Sequence, residues 1–304
     1  MTSTAGTTSL ASHAPLPGEP AAVVVTPRQG DSLWARLARN RLSAAALALL
    51  IALHVLVFVG PLAWTVSPEK TSALDALLPP APGHPLGTDD LGRDELSRLL
   101  HGGQVTLVVG FAAMITATVL GLLVGAVAAF YGGWLDALLM RLTDTMTAPA
   151  FFLIVTAVLV IGPGPATLVA VIGATSWMQV ARVIYGETLR FKSLEFVLAA
   201  ETLGASRLRI LLRHVLPQTI PSVVVSATLG VAVAILTESA VSYLGLGIQP
   251  PTPSWGNMLQ NAQQYVWTSP GLAVFPGAVI TLVVLAYNFL GDGLRDAVDP
   301  RLRV

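Results

Sequence analysis

Few residues of this chain have the types and spacing that catalysis requires. The sequence has no cysteine, which excludes disulfides, thiolate metal sites and cysteine nucleophiles. His54 is the only histidine within an apolar run, and no nucleophile, base or carboxylate lies at helical spacing from it. Lys70 and Lys192 do not follow glycine-rich segments, so the phosphate-binding loop of an ATPase is absent. The pattern weighs against an intramembrane enzyme such as a protease, and against ATP hydrolysis by this chain.

A charged cluster precedes a long apolar run and consists of Asp89, Asp90, Arg93 and Asp94. Acidic side chains are favourable near the positive end of a helix dipole, so the cluster predicts the start of a short amphipathic helix. Two interpretations stay open: a solvated helix cap and a docking surface for a partner protein. A metal site is disfavoured, because His84 and His101 are too far apart to share one helix face with these carboxylates.

Glu238 is the one acidic residue deep in an apolar run. Ionised groups are costly in hydrocarbon, so such a residue is by default a candidate for function. It follows Pro217 by 21 residues, about 32 Å of helix at about 1.5 Å per residue, which places it near one membrane interface. A role in the transport pathway or outer gate and a merely hydrogen-bonded acid remain equal alternatives.

The composition indicates a membrane protein, with 54% hydrophobic residues, 11% charged residues and a mean hydropathy of +0.71. The formal net charge of zero leaves no basic face for nucleic acid. Six apolar runs are long enough to cross a bilayer as helices, which predicts an all-α membrane protein. They are residues 42–64, 104–130, 135–161, 165–184, 217–246 and 272–291.

The arginines and lysines fix the orientation, because short cytoplasmic segments retain positive charge during insertion. If both termini are cytoplasmic, 14 of the 17 cationic residues lie inside. The predicted organisation is a disordered cytoplasmic tail (1–35), a first transmembrane helix (36–66), an external loop with a short amphipathic helix (67–103), a transmembrane domain (104–292) and a cytoplasmic tail (293–304).

The second run carries a small residue at every fourth position: Ala113, Ala117, Gly121, Gly125 and Ala129. Residues with this spacing line one side of a helix and let two backbones approach closely in lipid. The row predicts tight helix packing.

The cytoplasmic segment 185–216 is long for so compact a protein. Its pattern predicts a helix over residues 194–203, a break at Gly204, and a second helix from Ser206 that Pro217 stops at Val215. Glycine commonly ends a helix in a left-handed conformation, and serine commonly caps the next one. From the residues alone, an amphipathic helix on the membrane surface, in contact with lipid, is an equal alternative.

This segment resembles the EAA loop of binding-protein-dependent ABC permeases. The matching residues are Ala199, Ala200, Gly204, Ile210, Leu216 and Pro217. Leu198 stands where the family has an acidic residue, and we hypothesise that Glu201, on nearly the same helix face, supplies the missing charge. Residues 84–98, 242–256 and 288–301 resemble the dipeptide, oligopeptide and nickel branch of these permeases, so the resemblance covers residues 84–301.

The resemblance implies a type I ABC importer permease fold with spans two to six as its core, in a bacterial inner (plasma) membrane. The implied partners are a homologous second permease, two ABC ATPase subunits and an extracytoplasmic substrate-binding protein. The chain itself would bind no cofactor, because ATP and Mg are used by the ATPases. The ATPase-coupling residues would be Leu198, Ala199, Ala200, Glu201, Gly204, Ala205, Ser206, Arg207 and Arg209.

The resemblance also suggests external docking through the charged cluster and Trp255, which ends a proline-rich outer segment. Membrane anchoring by Trp255 is the alternative. The implied cargo is a dipeptide or oligopeptide, with nickel chelates, or another small solute such as haem, as the alternative. A passive channel would explain the spans but not the cytoplasmic hairpin.

Overall fold

The computed structural model describes residues 40–147 and 150–298, except for the side chains of 150–153. The predicted N-terminal tail, residues 1–35, lies outside this part of the chain, as do residues 299–304. The helices longer than one turn and a half are α1 (Arg41–Ala63), α2 (Glu95–Tyr131), α3 (Gly133–Thr147), α4 (Ala150–Ile161), α5 (Pro165–Lys192), α6 (Glu195–Thr202), α7 (Arg207–Tyr243), α8 (Trp255–Ala262) and α9 (Gly271–Val298).

Five helices, α1, α2, α5, α7 and α9, are long and apolar enough to cross a membrane. They correspond to five of the six predicted spans, and the all-α prediction is confirmed. The remaining span, predicted over residues 135–161, is divided between α3 and α4. With 12 residues, or about 18 Å, α4 alone is shorter than a hydrocarbon core of about 30 Å. Six membrane crossings are therefore possible only if α3 and α4 together form one of them.

Helix α2 begins earlier than the second apolar run suggested. The Asp94 side chain accepts a hydrogen bond from the Ser97 amide at 2.7 Å, which caps the helix at its first turn. From there the helix continues for 37 residues to Tyr131. The predicted short amphipathic helix is thus the start of α2 itself, and Asp89, Asp90 and Arg93 lie in the loop before its cap.

The row of small residues on α2 packs against α5, as predicted. Ala113, Ala117 and Ala129 are almost completely buried. A Cβ atom on Gly125 would lie 2.3 Å from the Ala181 carbonyl oxygen, and one on Gly121 would lie 2.7 Å from the Val180 Cβ. The two backbones approach so closely that only residues without a side chain fit at these positions.

The predicted stop at Pro217 is wrong, because α7 runs from Arg207 through this proline to Tyr243. One π-helical turn, Leu211–Val215, precedes the proline. A wider turn accommodates a residue that lacks an amide hydrogen and whose ring crowds the preceding turn. The second arm of the segment 185–216 is therefore continuous with the fifth span.

Candidate functional site

The segment between α5 and α7 folds into a helical hairpin, which we define as residues 195–210. Gly204 ends α6 with a φ angle of +80°. The Ala205 amide donates to the Ala200 carbonyl at 3.0 Å, and the Gly204 amide donates to the Glu201 carbonyl at 2.9 Å. This pair of hydrogen bonds is the Schellman motif, so the predicted left-handed helix end at Gly204 is confirmed.

The hairpin has a buried side and an exposed apolar side. Val197 and Ile210 are 2% and 0% exposed and belong to the main hydrophobic core. On the opposite side, Leu198, Leu203 and Leu208 are 65%, 88% and 56% exposed. Large apolar side chains grouped on a hairpin mark an interaction surface. The buried side of the hairpin therefore packs against the helix bundle, and its exposed leucines form a surface to which another protein can bind.

Most of the residues predicted to couple to the ATPase lie on this exposed side. The exposed residues include Ala199, Glu201, Gly204, Ser206, Arg207 and Arg209, whereas Ala200 and Ala205 are half-buried. Glu201 forms no ion pair with any residue that the structure describes, so its carboxylate is available to a partner. Ser206 occupies the predicted cap position before α7, but its side chain makes no cap hydrogen bond and its carbonyl accepts from the Ile210 amide.

At the other end of the molecule, the predicted charged cluster is mostly buried. Asp89, Arg93 and Asp94 are 4%, 4% and 2% exposed. The Asp89 carboxylate accepts from the Arg93 Nε at 2.6 Å and lies 3.4 Å from the Arg98 Nε. These three residues are therefore not a solvated cap, and only the half-exposed Asp90 offers its side chain to a docking partner.

Asp94 joins three segments at the end of the molecule opposite the hairpin. One carboxylate oxygen accepts from the Trp64 indole at 2.8 Å and the other lies 2.9 Å from the His84 Nδ1. The fold thus brings His84 next to Asp94, which the sequence spacing did not suggest. Among the described residues, no group of three or more histidines and carboxylates has the arrangement of a metal site.

Trp255 is buried within the chain rather than placed at the membrane interface. It is 0% exposed, and its indole donates to the Leu99 carbonyl at 2.9 Å. Gly103 makes room for the ring, since a Cβ atom there would lie 2.7 Å from it. The anchoring interpretation is wrong for this side chain, which instead fixes α8 to the first turns of α2.

Glu238 is also completely buried, near the C-terminal end of α7. It accepts hydrogen bonds from the Ser242 hydroxyl at 2.8 Å and the Ser239 hydroxyl at 3.3 Å. The hydroxyls of Thr106 on α2 and Ser254 before α8 lie near its carboxylate. Among the two alternatives for this residue, the geometry favours the hydrogen-bonded acid, which joins three elements.

Comparison with known proteins identifies the family. The family model of the binding-protein-dependent transport system inner membrane component matches residues 117–304, more than half of the chain. The chain belongs to this family. A second model, the N-terminal TM domain of oligopeptide transport permease C, matches residues 29–80.

Several relatives with known names align with most of this chain. The dipeptide transport system permease protein DppC of Bacillus subtilis is 38% identical over 89% of this chain and 85% of its own length. The glutathione transport system permease protein GsiD of Pectobacterium atrosepticum is 37% identical over 89% of this chain and 90% of its own. The oligopeptide transport system permease protein OppC of Bacillus subtilis is 35% identical over 90% and 91%, respectively.

One residue that supports the permease hairpin was missed by the sequence reasoning. The Lys192 ammonium, at the end of α5, donates to the Phe130 carbonyl at 2.6 Å and the Ala129 carbonyl at 3.4 Å. A cation at these last carbonyls stabilises the C-terminal end of α2. The only sequence signal was a lysine in a chain that has two lysines among its 17 cationic residues.

Replacing Glu238 tests whether this acid supports the permease structure or acts in transport. Glu238→Leu is expected to lower the free energy of unfolding by about 1–3 kcal/mol, because buried hydroxyls lose their acceptor. Glu238→Gln keeps one acceptor oxygen and should lose less. Thermal unfolding of the purified variants in detergent measures both. If Glu238→Gln unfolds like the wild type but no longer transports, the carboxylate acts in transport and the structural role is contradicted.

Proposed function

We propose that this chain is the membrane-spanning permease subunit of an ATP-driven importer that moves dipeptides or oligopeptides delivered by an extracytoplasmic binding protein. The observation that carries the proposal is the hairpin of residues 195–210. It presents exposed leucines at its tip and is joined at both ends to helices long enough to cross the membrane. An ATPase that binds this hairpin would therefore act directly on the two spans α5 and α7.

The cargo class is supported by the names of the relatives. Dipeptides, oligopeptides and glutathione are all short peptides with charged groups, and relatives bearing these names align over nearly the whole chain. The nickel-chelate alternative rests only on the likeness of the outer motifs. Peptide is therefore the favoured cargo.

The arrangement in the bacterial inner membrane follows from the same reasoning. The hairpin lies on the cytoplasmic side, with both termini, and docks into a groove of an ATPase. A homologous second permease and two ATPase subunits complete the transporter, and ATP and Mg are used by the ATPases. This chain is a non-catalytic transport subunit.

Force reaches the membrane helices because the hairpin is packed, not loosely tethered. Val197 and Ile210 lie in the same core as Ala181 of α5 and Ala117 of α2. Packed cores move as units rather than deforming continuously. Closure of the ATPases would therefore displace α5 and α7 together, and the cavity shared with the second permease would change its side of access.

The docking proposal is tested with two cysteine variants that differ in their side of the membrane. The chain has no natural cysteine, so each new thiol is unique within it. Leu203→Cys, at the tip of the hairpin, is expected to cross-link to a cysteine placed in the ATPase groove. Leu74→Cys has a comparable exposure, 95% against 88%, but lies in the outer loop and should not cross-link.

Uptake of a labelled dipeptide into proteoliposomes then tests the transport activity. The assay contains both permeases, the ATPases and the binding protein. Uptake that requires ATP and the binding protein is expected. Equal uptake without ATP would indicate a passive channel. In the cross-linking experiment, a cross-link from Leu74→Cys and none from Leu203→Cys would show that the proposed membrane orientation is wrong.

A further inference from the structure

A row of exposed residues on α7 changes from basic to apolar along the helix. Arg209, Arg213, Pro217, Ile220 and Val224 are all exposed. Successive members are three or four residues apart, which keeps neighbours on one side of the helix, also across its π-helical turn. The apolar run predicted as the fifth span begins at residue 217, so both arginines lie before it. We name these five residues the α7 stripe.

The basic end of the α7 stripe has charge to offer to a ligand. Among the residues that the structure describes, no ion pair includes Arg209 or Arg213. A guanidinium can donate two parallel hydrogen bonds to a phosphate or a carboxylate. The two arginines, one helical turn apart, therefore favour an anion as their partner.

The apolar end of the α7 stripe reaches a cavity of about 740 Å³. Val224 lines this cavity together with residues of α1, α2 and α9, and no lining residue is acidic, lysine or arginine. The polar atoms of His54 and Tyr287 face each other at 3.3 Å. Thr118 is the lining residue whose hydroxyl has no partner within the described part of the chain. The volume lies in the range of about 300–1,000 Å³ that is typical of small-molecule sites.

The two ends of the α7 stripe select different parts of one ligand. A polar group in the cavity would lose its hydrogen bonds with water, which costs free energy, whereas a hydrocarbon chain has none to lose. The arginines select an anionic group. A ligand that satisfies both ends therefore carries an anion at one end and hydrocarbon at the other.

The distance between the two ends matches one leaflet of a bilayer. Val224 follows Arg213 by 11 residues, about 16 Å at about 1.5 Å per residue. One leaflet contributes half of a hydrocarbon core of about 30 Å. A phospholipid with its phosphate at Arg213 would therefore place the ends of its acyl chains beside Val224. This length is measured along the helix and does not depend on where a bilayer would lie.

We propose that the α7 stripe and the cavity form a binding site for an anionic phospholipid of the leaflet on the hairpin side. The phosphate binds between Arg209 and Arg213, and one acyl chain passes Pro217 and Ile220 and enters the cavity at Val224. Bound there, the chain contacts all four helices that line the cavity, α1, α2, α7 and α9. An acidic surface of the ATPase would also suit the arginines, but it would not account for the apolar cavity beside the same stripe.

Photo-cross-linking in the complete importer tests this site. The importer, whose composition rests on the function proposed above, is assembled in phosphatidylcholine nanodiscs. These contain a trace of phosphatidylglycerol with a diazirine at the end of one acyl chain, or of phosphatidylcholine with the same chain. Mass spectrometry locates the labelled residues. The segments 111–119 and 224–231, which include lining residues of α2 and α7, should be labelled at least about fivefold more by phosphatidylglycerol, the preference that one surface arginine gives for anionic lipid.

Two pairs of variants test the two ends of the site. Arg213→Gln should lower this preference about fivefold, whereas Arg213→Lys keeps the charge and most of the preference. Arg209 stays unchanged, because it is also predicted to couple to the ATPase. Ile115→Trp, at a position that is 62% exposed and lines the cavity, should reduce the labelling of 224–231 by both lipids. Val108→Trp is the matched control on α2, 51% exposed and outside the cavity lining, and should not.

The outcomes separate the headgroup site from the cavity. Equal labelling by the two lipids, or an unchanged preference in Arg213→Gln, contradicts the headgroup site. Labelling of the cavity segments that Ile115→Trp does not reduce contradicts the acyl-chain site, and Val119→Trp, at another exposed lining residue, replaces this variant if it does not assemble. A cross-link from Arg213→Cys to a cysteine in the ATPase groove would assign the arginine to the ATPase and overturn the lipid site. Failure of the wild-type importer to assemble would count against the proposed function instead.

Discussion

Replacing Gly204 with valine is expected to abolish ATP-driven peptide uptake while leaving the chain inserted in the membrane. Gly204 has a φ angle of +80°, and residues with a Cβ atom occupy this region at a cost of about 1–2 kcal/mol, more when they are β-branched. No atom lies within 4 Å of the position of the missing Cβ. The cost is therefore conformational, and it falls on the turn that sets the two arms of the hairpin.

Relief of that strain would open the Schellman turn and move Leu203 away from its docked position. A change of about 1.4 kcal/mol alters an equilibrium about tenfold, so uptake and substrate-stimulated ATP hydrolysis should both fall by at least about that factor. Insertion is measured by membrane fractionation. Gly204→Asn is the matched control, because asparagine tolerates the left-handed region and should keep most of the activity. Normal transport by Gly204→Val would contradict the role of the hairpin.

Replacing Gly125 with alanine is expected to destabilise the whole bundle. The added methyl group would lie 2.3 Å from the Ala181 carbonyl oxygen, and this atom belongs to a helix backbone that cannot rotate away. Overpacking of this kind costs about 1–3 kcal/mol. Because α2 and α5 meet along this line, the variant should show a lower melting temperature in detergent and less protein in the membrane.

Gly186→Ala is the matched control for that variant. Gly186 lies in the interior of α5, the same helix that Gly125 contacts, but no atom lies within 4 Å of the position of its missing Cβ. Alanine has a higher helix propensity than glycine, so this variant should be as stable as the wild type or slightly more stable. Equal losses of stability in both variants would show that close packing against Ala181 is not the cause.

The sequence patterns predicted the hairpin well at Gly204 and poorly at its second arm. A glycine after a helical segment carries its own signal, because only its backbone adopts the left-handed turn at low cost. Pro217 and Ser206 were misinterpreted because the same residue types occur in more than one setting. Proline is tolerated after a π-turn, and serine at a cap position need not form the side-chain hydrogen bond.

The charged cluster before α2 shows a different limit of prediction from sequence. Asp89, Arg93 and Asp94 were expected to be at a surface because charged side chains are seldom fully buried. They are buried because Arg98 at the start of α2, His84 and Trp64 converge on them. Nothing in the local sequence indicates these partners.

The sequence by itself determined that this is a membrane protein, that it is all-α, that a row of small residues on α2 packs tightly, and that the first arm of the hairpin ends in a left-handed glycine. Each depends on composition, on a period of about four residues, or on the backbone freedom of one glycine. Only the tertiary structure decided that Trp255 and Glu238 are internal, that Lys192 binds the end of α2, and that Asp144 meets Arg182. These pairs lie on different helices, and their contact depends on how the helices pack, which no local pattern encodes.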